Sequence, residues 1–62
     1  MARYNLTSRS SGLDLGTYEA PTAYDAIEAM HRDAGYDSID AAAKALGQTA
    51  EALIADIVAV VA

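Results

Sequence analysis

Closely spaced turn and cap signals divide this chain and leave room only for short elements. Gly and Ser cluster at positions 10–12, Ala, Pro and Thr follow one another at 20–22, and Gly recurs at 16, 35 and 47. Gly accepts positive φ, whereas Ser, Thr and Pro favour turns and helix starts, so such clusters end one element and begin the next. The signals predict five short elements within 62 residues.

The first two elements are predicted to form a β-hairpin. Residues 2–7 alternate between apolar and polar side chains, which is typical of a half-buried strand. A second strand is predicted from Leu13, but its apolar positions change parity between Leu15 and Tyr18. One extra residue restores the register, and Gly tolerates the required geometry, so we expect a bulge at Gly16.

Two helices are predicted in the middle of the chain. Thr22 is the expected N-cap of a helix that ends at Gly35, and Asp37 or Ser38 caps a second helix that ends at Gly47. The predicted buried positions are Ala23, Ala26, Ile27, Met30, Ala34, Ile39, Ala42, Ala43 and Leu46. The predicted exposed positions of the first helix are Tyr24, Asp25, Glu28, His31 and Arg32.

The C-terminal residues are compatible with two structures. Apolar residues after Thr49 follow a helical spacing, yet residues 57–61 are rich in β-branched side chains. A hairpin alone is marginal in water, so we favour a short helical turn over 49–54 and a strand over 56–61 that joins the hairpin. The prediction is a single α+β domain over residues 1–62, a small antiparallel sheet with two helices on one face in the order ββα(α)β. The alternative is a hairpin followed by three helices.

Three segments carry a resemblance to a known family. They are Ser10-Ser11-Gly12, Leu15-Gly16-x-Tyr18-x-Ala20 and Ala29-Met30-x-x-Asp33-Ala34-Gly35-Tyr36. Together they resemble a family of small, uncharacterised bacterial proteins with a Ser-Gly-x-x-Leu-Gly-x-Tyr-x-Ala hairpin and a helix that ends Asp-Ala-Gly-Tyr. The resemblance covers a little over half of the chain. It implies the hairpin and the first helix, and it implies no activity.

Composition narrows the partners and the compartment. Nine acidic and four basic residues give a net charge of −5, which disfavours nucleic acid and anionic membranes as partners. No Cys is present, so neither a disulfide nor a thiolate metal site stabilises the domain, and a homodimer is the remaining means of burying more surface. The N-terminal residues lack a hydrophobic signal core, and the apolar run over 53–62 is too short to span a bilayer. We therefore expect a cytoplasmic protein.

Motifs for catalysis and for cofactors are weak. Glu28 and His31 have the spacing of a helical metal-ligand pair, but a di-metal site needs two such pairs and further carboxylates. Ser8, Ser10 and Ser11 lie near Gly without a nearby base, which is typical of turns. We expect neither an enzyme nor a bound cofactor.

The leading functional hypothesis is a non-catalytic module that binds an unknown protein partner. Its contact surfaces would be an exposed sheet edge and one face of the first helix. The residues of that helix face are Tyr24, Glu28, His31 and Arg32. The alternative is weak binding of single-stranded nucleic acid by the hairpin, since Arg3, Arg9, Tyr4 and Tyr18 are residue types of a stacking surface.

Overall fold

The computed structural model describes residues 1–62 and places one three-stranded antiparallel sheet beneath three helices. In chain order the elements are β1 (Ala2–Ser8), β2 (Asp14–Ala20), α1 (Ala23–Asp33), α2 (Ile39–Leu46), α3 (Ala50–Ala55) and β3 (Ile57–Val61). The strand order across the sheet is β2-β1-β3, so β1 is central and the other two strands are edges. The predicted α+β class is confirmed, and the alternative without a C-terminal strand is wrong.

The hairpin contains the expected bulge. Tyr4 lies opposite Tyr18 and Leu6 opposite Gly16, but Thr7 lies opposite Asp14, so Leu15 is the extra residue on β2. Gly16 has a φ of 100°, a conformation that an L side chain adopts only with strain. The change of parity in the sequence marks the bulge, because the extra residue Leu15 and Tyr18 beyond it both pack against the core. Leu13, predicted to begin the second strand, lies before β2 and is 63% exposed.

Side-chain alternation gives the sheet two different faces. On β1, Tyr4 and Leu6 point towards the helices, and β3 continues that face because Leu6 lies opposite Ala59. The opposite face carries Asn5, which is exposed and lies between Thr17 on β2 and Val60 on β3. All helices cover the first face, so the second face is left open.

Each helix begins at a predicted cap. The Thr22 hydroxyl accepts the Asp25 N–H at 3.2 Å and donates to the Asp25 carboxylate at 3.0 Å, which satisfies a free amide of the first turn of α1. Ser38 caps α2 in the same way by accepting the Ala41 N–H at 3.0 Å. Thr49 caps α3 by accepting the Ala52 N–H at 3.1 Å.

The first helix ends in a glycine motif that turns the chain back over the sheet. The Gly35 N–H donates to the Arg32 carbonyl at 3.0 Å, and the Tyr36 N–H donates to the His31 carbonyl at 3.1 Å. This is the Schellman pattern, in which the residue after the C-cap has positive φ; Ala34 is the C-cap, and Gly35 has a φ of 104°. The turn brings α2 back against α1, and α2 also packs against α3.

The core lies between the helices and the sheet and is small. Its buried apolar residues are Leu6, Ala20, Ala26, Ile27, Ile39, Ala42, Ala43 and Leu53. Leu6 and Ile39 are the largest side chains that are fully buried. Many of the contacts are made by Ala, which allows the helices to approach closely but contributes little apolar area per residue.

The predicted burial of two helix residues is wrong. Leu46, expected in the core, is 50% exposed, and Ala34 is also exposed. Both stand at the last turn of their helices, where the chain already turns away from the sheet. The 3.6-residue period alone does not show where a helix leaves the core.

Candidate interaction surface

The outer edge of β3 carries backbone groups that have no bond partner within the chain. Two bonds to β1 fix the orientation of the strand: the Ala62 N–H donates to the Arg3 carbonyl at 2.7 Å, and the Arg9 N–H donates to the Asp56 carbonyl at 2.6 Å. Successive residues of an antiparallel strand direct their backbone N–H and C=O groups to opposite sides of the strand. In β3, the backbone groups of Val58 and Val60 therefore point towards β1. The residues whose N–H and C=O groups point out of the sheet are Ile57, Ala59 and Val61.

The side chains along this edge are apolar and uncharged. Residues 57–62 contain only Ile, Val and Ala. Val60 is 56% exposed on the open face of the sheet, and Val61 is 65% exposed near the end of the strand. Natural sheet edges usually carry Lys, Pro, a bulge or an inward-pointing charge that discourages pairing with another strand. The β3 edge carries none of these features, and it is therefore ready to accept a further strand.

The β2 edge is protected in several ways. Its bulge at Leu15 and Gly16 interrupts the strand, Asp14 and Glu19 place exposed carboxylates on it, and Pro21 follows its last residue. The Glu19 carboxylate also lies 3.5 Å from the Arg3 guanidinium, which holds that charge on the open face. The two edges of one sheet thus differ sharply in their capacity for strand addition.

A carboxylate clasp fixes the start of β3 to the β1–β2 loop. The Asp56 carboxylate accepts the Ser10 N–H at 2.9 Å, the Ser8 hydroxyl at 3.0 Å and the Ser10 hydroxyl at 3.1 Å. The Arg9 Nε donates to the Ala55 carbonyl at 3.2 Å nearby. The Ser10 hydroxyl, followed by the Ser8 hydroxyl, the Ser10 N–H and the Arg9 charge, holds the pKa of Asp56 below its ordinary value, against a smaller opposing effect of desolvation.

The clasp explains the Ser-rich loop and was missed in the sequence. In the sequence Asp56 is a single charge within the apolar run over 53–62, and nothing there pairs it with Ser10, which precedes it by 46 positions. The available signal is the cluster of Ser residues, two of which, Ser8 and Ser10, donate their hydroxyls to the Asp56 carboxylate. The clasp orients β3 alongside β1 and leaves its outer edge free.

The helix face predicted as a contact surface is only partly exposed. Tyr24 is 49% exposed, while the Arg32 guanidinium lies 3.2 Å from the Glu28 carboxylate in an i, i+4 ion pair. The prediction that His31 lies on the exposed stripe is wrong, since His31 is only 7% exposed. Its Nδ1 lies 2.9 Å from the Ile27 carbonyl, a contact within the helix that provides a bond partner for the ring in the core.

The hairpin does not assemble its arginines and tyrosines on one surface. Arg3 projects from the open face, whereas Tyr4 and Tyr18 are partly buried on the helix-covered face. The Tyr18 hydroxyl donates to the Asp33 carboxylate at 3.0 Å and so ties β2 to α1. Burial, and then the hydrogen bond to Asp33 and its charge, raise the pKa of Tyr18.

Around Arg3 the open face has a shallow groove. Its lining residues are Arg3, Thr17, Glu19 and Ala62. The Arg3–Glu19 ion pair lies within it. The groove adjoins the end of β3, so a strand added to the β3 edge would also border this pair of charges.

No group of three or more His, Cys, Asp or Glu side chains is arranged to hold a metal ion. None of the helices is both long and apolar enough to cross a lipid bilayer. Comparisons with protein-family models, with curated proteins and with solved structures give no match. The resemblance to a small bacterial family therefore stays a prediction from the sequence.

Proposed function

We propose that this protein is a non-catalytic interaction module that accepts a β-strand along the open β3 edge. One observation carries the proposal: Ile57, Ala59 and Val61 direct unpaired N–H and C=O groups out of a strand that has no charged side chain. Main-chain hydrogen bonds supply affinity in such strand addition, and the alternating side chains supply selectivity.

The non-catalytic part of the proposal is supported by the contacts of the chemically reactive side chains. The hydroxyls of Ser8 and Ser10 are bound to Asp56, where they hold two segments of the chain together. His31, the only histidine, lies in the core against a helix carbonyl. These groups therefore have structural partners that account for them.

The remaining features of the surface agree with a protein partner. The net charge of −5 disfavours nucleic acid. The open face around Arg3 offers one cation that is already paired with Glu19. The cytoplasm is the proposed compartment, because the chain lacks the disulfides that commonly stabilise small secreted domains.

Affinity purification with matched variants tests this function. Val60→Glu places a charge on the open face of β3, and Thr17→Glu places the same charge on the same face of β2. Proteins bound through the β3 edge are retained by the wild type and by Thr17→Glu but lost from Val60→Glu. A set of bound proteins that is identical for all three chains, or a wild type that binds neither another protein nor itself, would contradict the proposal.

A further inference from the structure

We infer that the strand added to the β3 edge is β3 of a second copy of this chain, so that two molecules form one continuous antiparallel sheet. This inference rests on the proposed strand addition and names its occupant.

Two β3 strands related by a twofold axis can pair all of their outward-pointing residues in only one register. With the axis at Ala59, each Ala59 faces the other, and Ile57 of each copy faces Val61 of the other. These are residues whose N–H and C=O groups point out of the sheet, so each facing pair exchanges two hydrogen bonds. A shift of two residues in either direction leaves one outward residue of each β3 without a strand residue opposite it.

The side chains are complementary in this register. On the open face, Val58 of each copy lies opposite Val60 of the other, which makes an apolar centre from side chains that are exposed or half-buried in the single chain. On the covered face, the facing side chains belong to Ile57, Ala59 and Val61. No charged side chain lies between the two strands, so the acidic chains meet at their least charged elements.

The charges that flank the paired strands alternate in sign. The register places Ala62 beside Asp56 of the second copy, and Ala62 is itself bonded to Arg3. In the direction across the strands, Glu19 and Arg3 of one copy lie in the same row as Asp56 and Arg9 of the other copy. Alternating charges favour this register and orientation over slipped ones.

Only the β3 edge supports such pairing. At the β2 edge the bulge breaks the row of backbone groups, and two copies would bring the carboxylates of Glu19 and Asp14 close together. A sheet with one open edge and one protected edge closes as a dimer, because a twofold axis uses both open edges and leaves none for further growth.

Sedimentation equilibrium over a range of concentrations tests the dimer. We expect a reversible monomer–dimer equilibrium for the wild type. Ala59→Pro removes the N–H at the twofold axis but no bond within the chain, so it should raise the dissociation constant at least about tenfold. Val60→Glu should weaken the dimer similarly, because the new carboxylates face each other diagonally. Thr17→Glu should leave the dimer unchanged, and Val60→Thr, which keeps the β-branched shape and adds no charge, should weaken it less than Val60→Glu does.

Cysteine cross-linking tests the register. The wild type has no Cys, so Val58→Cys and Val60→Cys each introduce a single thiol. Directly opposite, non-hydrogen-bonded residues have Cα atoms about 4.5 Å apart, within disulfide reach, whereas diagonal neighbours are about 7–8 Å apart. An oxidised mixture of the two variants should give more cross-linked dimer than either variant alone.

The outcomes separate this inference from the proposed function. A wild type that stays monomeric at every concentration, or a dimer that Ala59→Pro and Val60→Glu do not weaken, would overturn the self-pairing. A mixture that cross-links no better than each variant alone would overturn the register. If the chain is monomeric and Val60→Glu still loses bound proteins that Thr17→Glu retains, the strand-accepting function holds with a different occupant.

Discussion

The two edge strands of the sheet pair with the same central strand but differ in what they offer to other molecules. β2 carries a bulge, exposed carboxylates and a following proline, whereas β3 is an uninterrupted run of Ile, Val and Ala. Both strands contribute to one small core through their covered faces. The difference therefore does not follow from the needs of the core, and it is the difference that the proposed strand addition at β3 requires.

The largest expected effect distinguishes the inner side of β3 from its outer side. Val58→Pro removes an N–H that faces β1, and we expect it to lower the free energy of unfolding by about 3 kcal/mol, enough to unfold much of so small a domain. Ala59→Pro removes an N–H that faces outwards and should cost far less. Urea unfolding, followed by circular dichroism, measures both.

Equal destabilisation by the two proline variants would contradict the assignment of an inner and an outer side to β3. It would mean that the Ala59 N–H has a partner within the chain. Dilute protein is needed for this measurement, because pairing with a second copy would also engage that N–H.

The next effect concerns the bulge that protects β2. Gly16→Ala forces a side chain into a conformation with a φ of 100°, and we expect a loss of about 1–3 kcal/mol. Space does not limit this substitution, since the added Cβ would lie 3.6 Å from the Tyr18 ring, an ordinary contact. Thr17→Ala, at the next residue of the same edge, serves as the control in thermal unfolding. A Gly16→Ala chain as stable as the control would show that the bulge does not require glycine at this position.

A smaller effect depends on pH and tests how β3 is anchored. The pKa of Asp56 is lower in the folded chain than its ordinary value of 3.8, so its contribution to stability is present above that value and is lost as the pH falls through the folded pKa. Asp56→Asn should therefore be less stable than the wild type near neutral pH. The difference should shrink and vanish on acidification below about pH 4.

Unfolding midpoints of both chains across this pH range measure the effect. Asp40→Asn is the control, because Asp40 lies in the first turn of α2, away from the clasp. A stability difference between wild type and Asp56→Asn that is constant with pH would contradict the role of the ionised carboxylate.

The smallest effect is expected at the ion pair on the open face. Arg3 and Glu19 each expose 63% of their side chains, so solvent screens the pair and its contribution is at most about 0.5 kcal/mol. Arg3→Ala should hardly change stability but should weaken the proposed dimer at low salt, because only Ala62 separates Arg3 from Asp56 of the second copy across the extended sheet. An effect on the dimer that persists unchanged at high salt would exclude this electrostatic explanation.

Local sequence signals predicted most of the fold. Thr22, Ser38 and Thr49 cap helices as expected, and the parity change beside Gly16 marks the bulge. The short C-terminal helix was also predicted, from the Thr49 cap and the helical spacing after it, and the last strand from the β-branched residues 57–61. Each of these features depends on residues that are close in sequence, which is why a single sequence sufficed.

Features that depend on distant residues were not predictable in the same way. The burial of His31 depends on how far α1 tilts into the core, and the Asp56 clasp joins residues at opposite ends of the chain. An exposed sheet edge was predicted as a contact surface, but the sequence did not show which strand would be central. Only the β2-β1-β3 order identifies β3 as the uncharged edge.

Amide hydrogen exchange resolved by residue shows whether the outer edge of β3 is open in the single chain and covered in the dimer. In dilute protein, the amides of Val58 and Val60 should exchange slowly because they donate to β1, and those of Ile57, Ala59 and Val61 should exchange quickly. At high concentration the second group should become protected while the first changes little. If the protection of Ile57, Ala59 and Val61 does not change with protein concentration, the proposal that a second copy pairs with the open β3 edge is wrong. This holds both for protection that is always strong and for protection that is always weak.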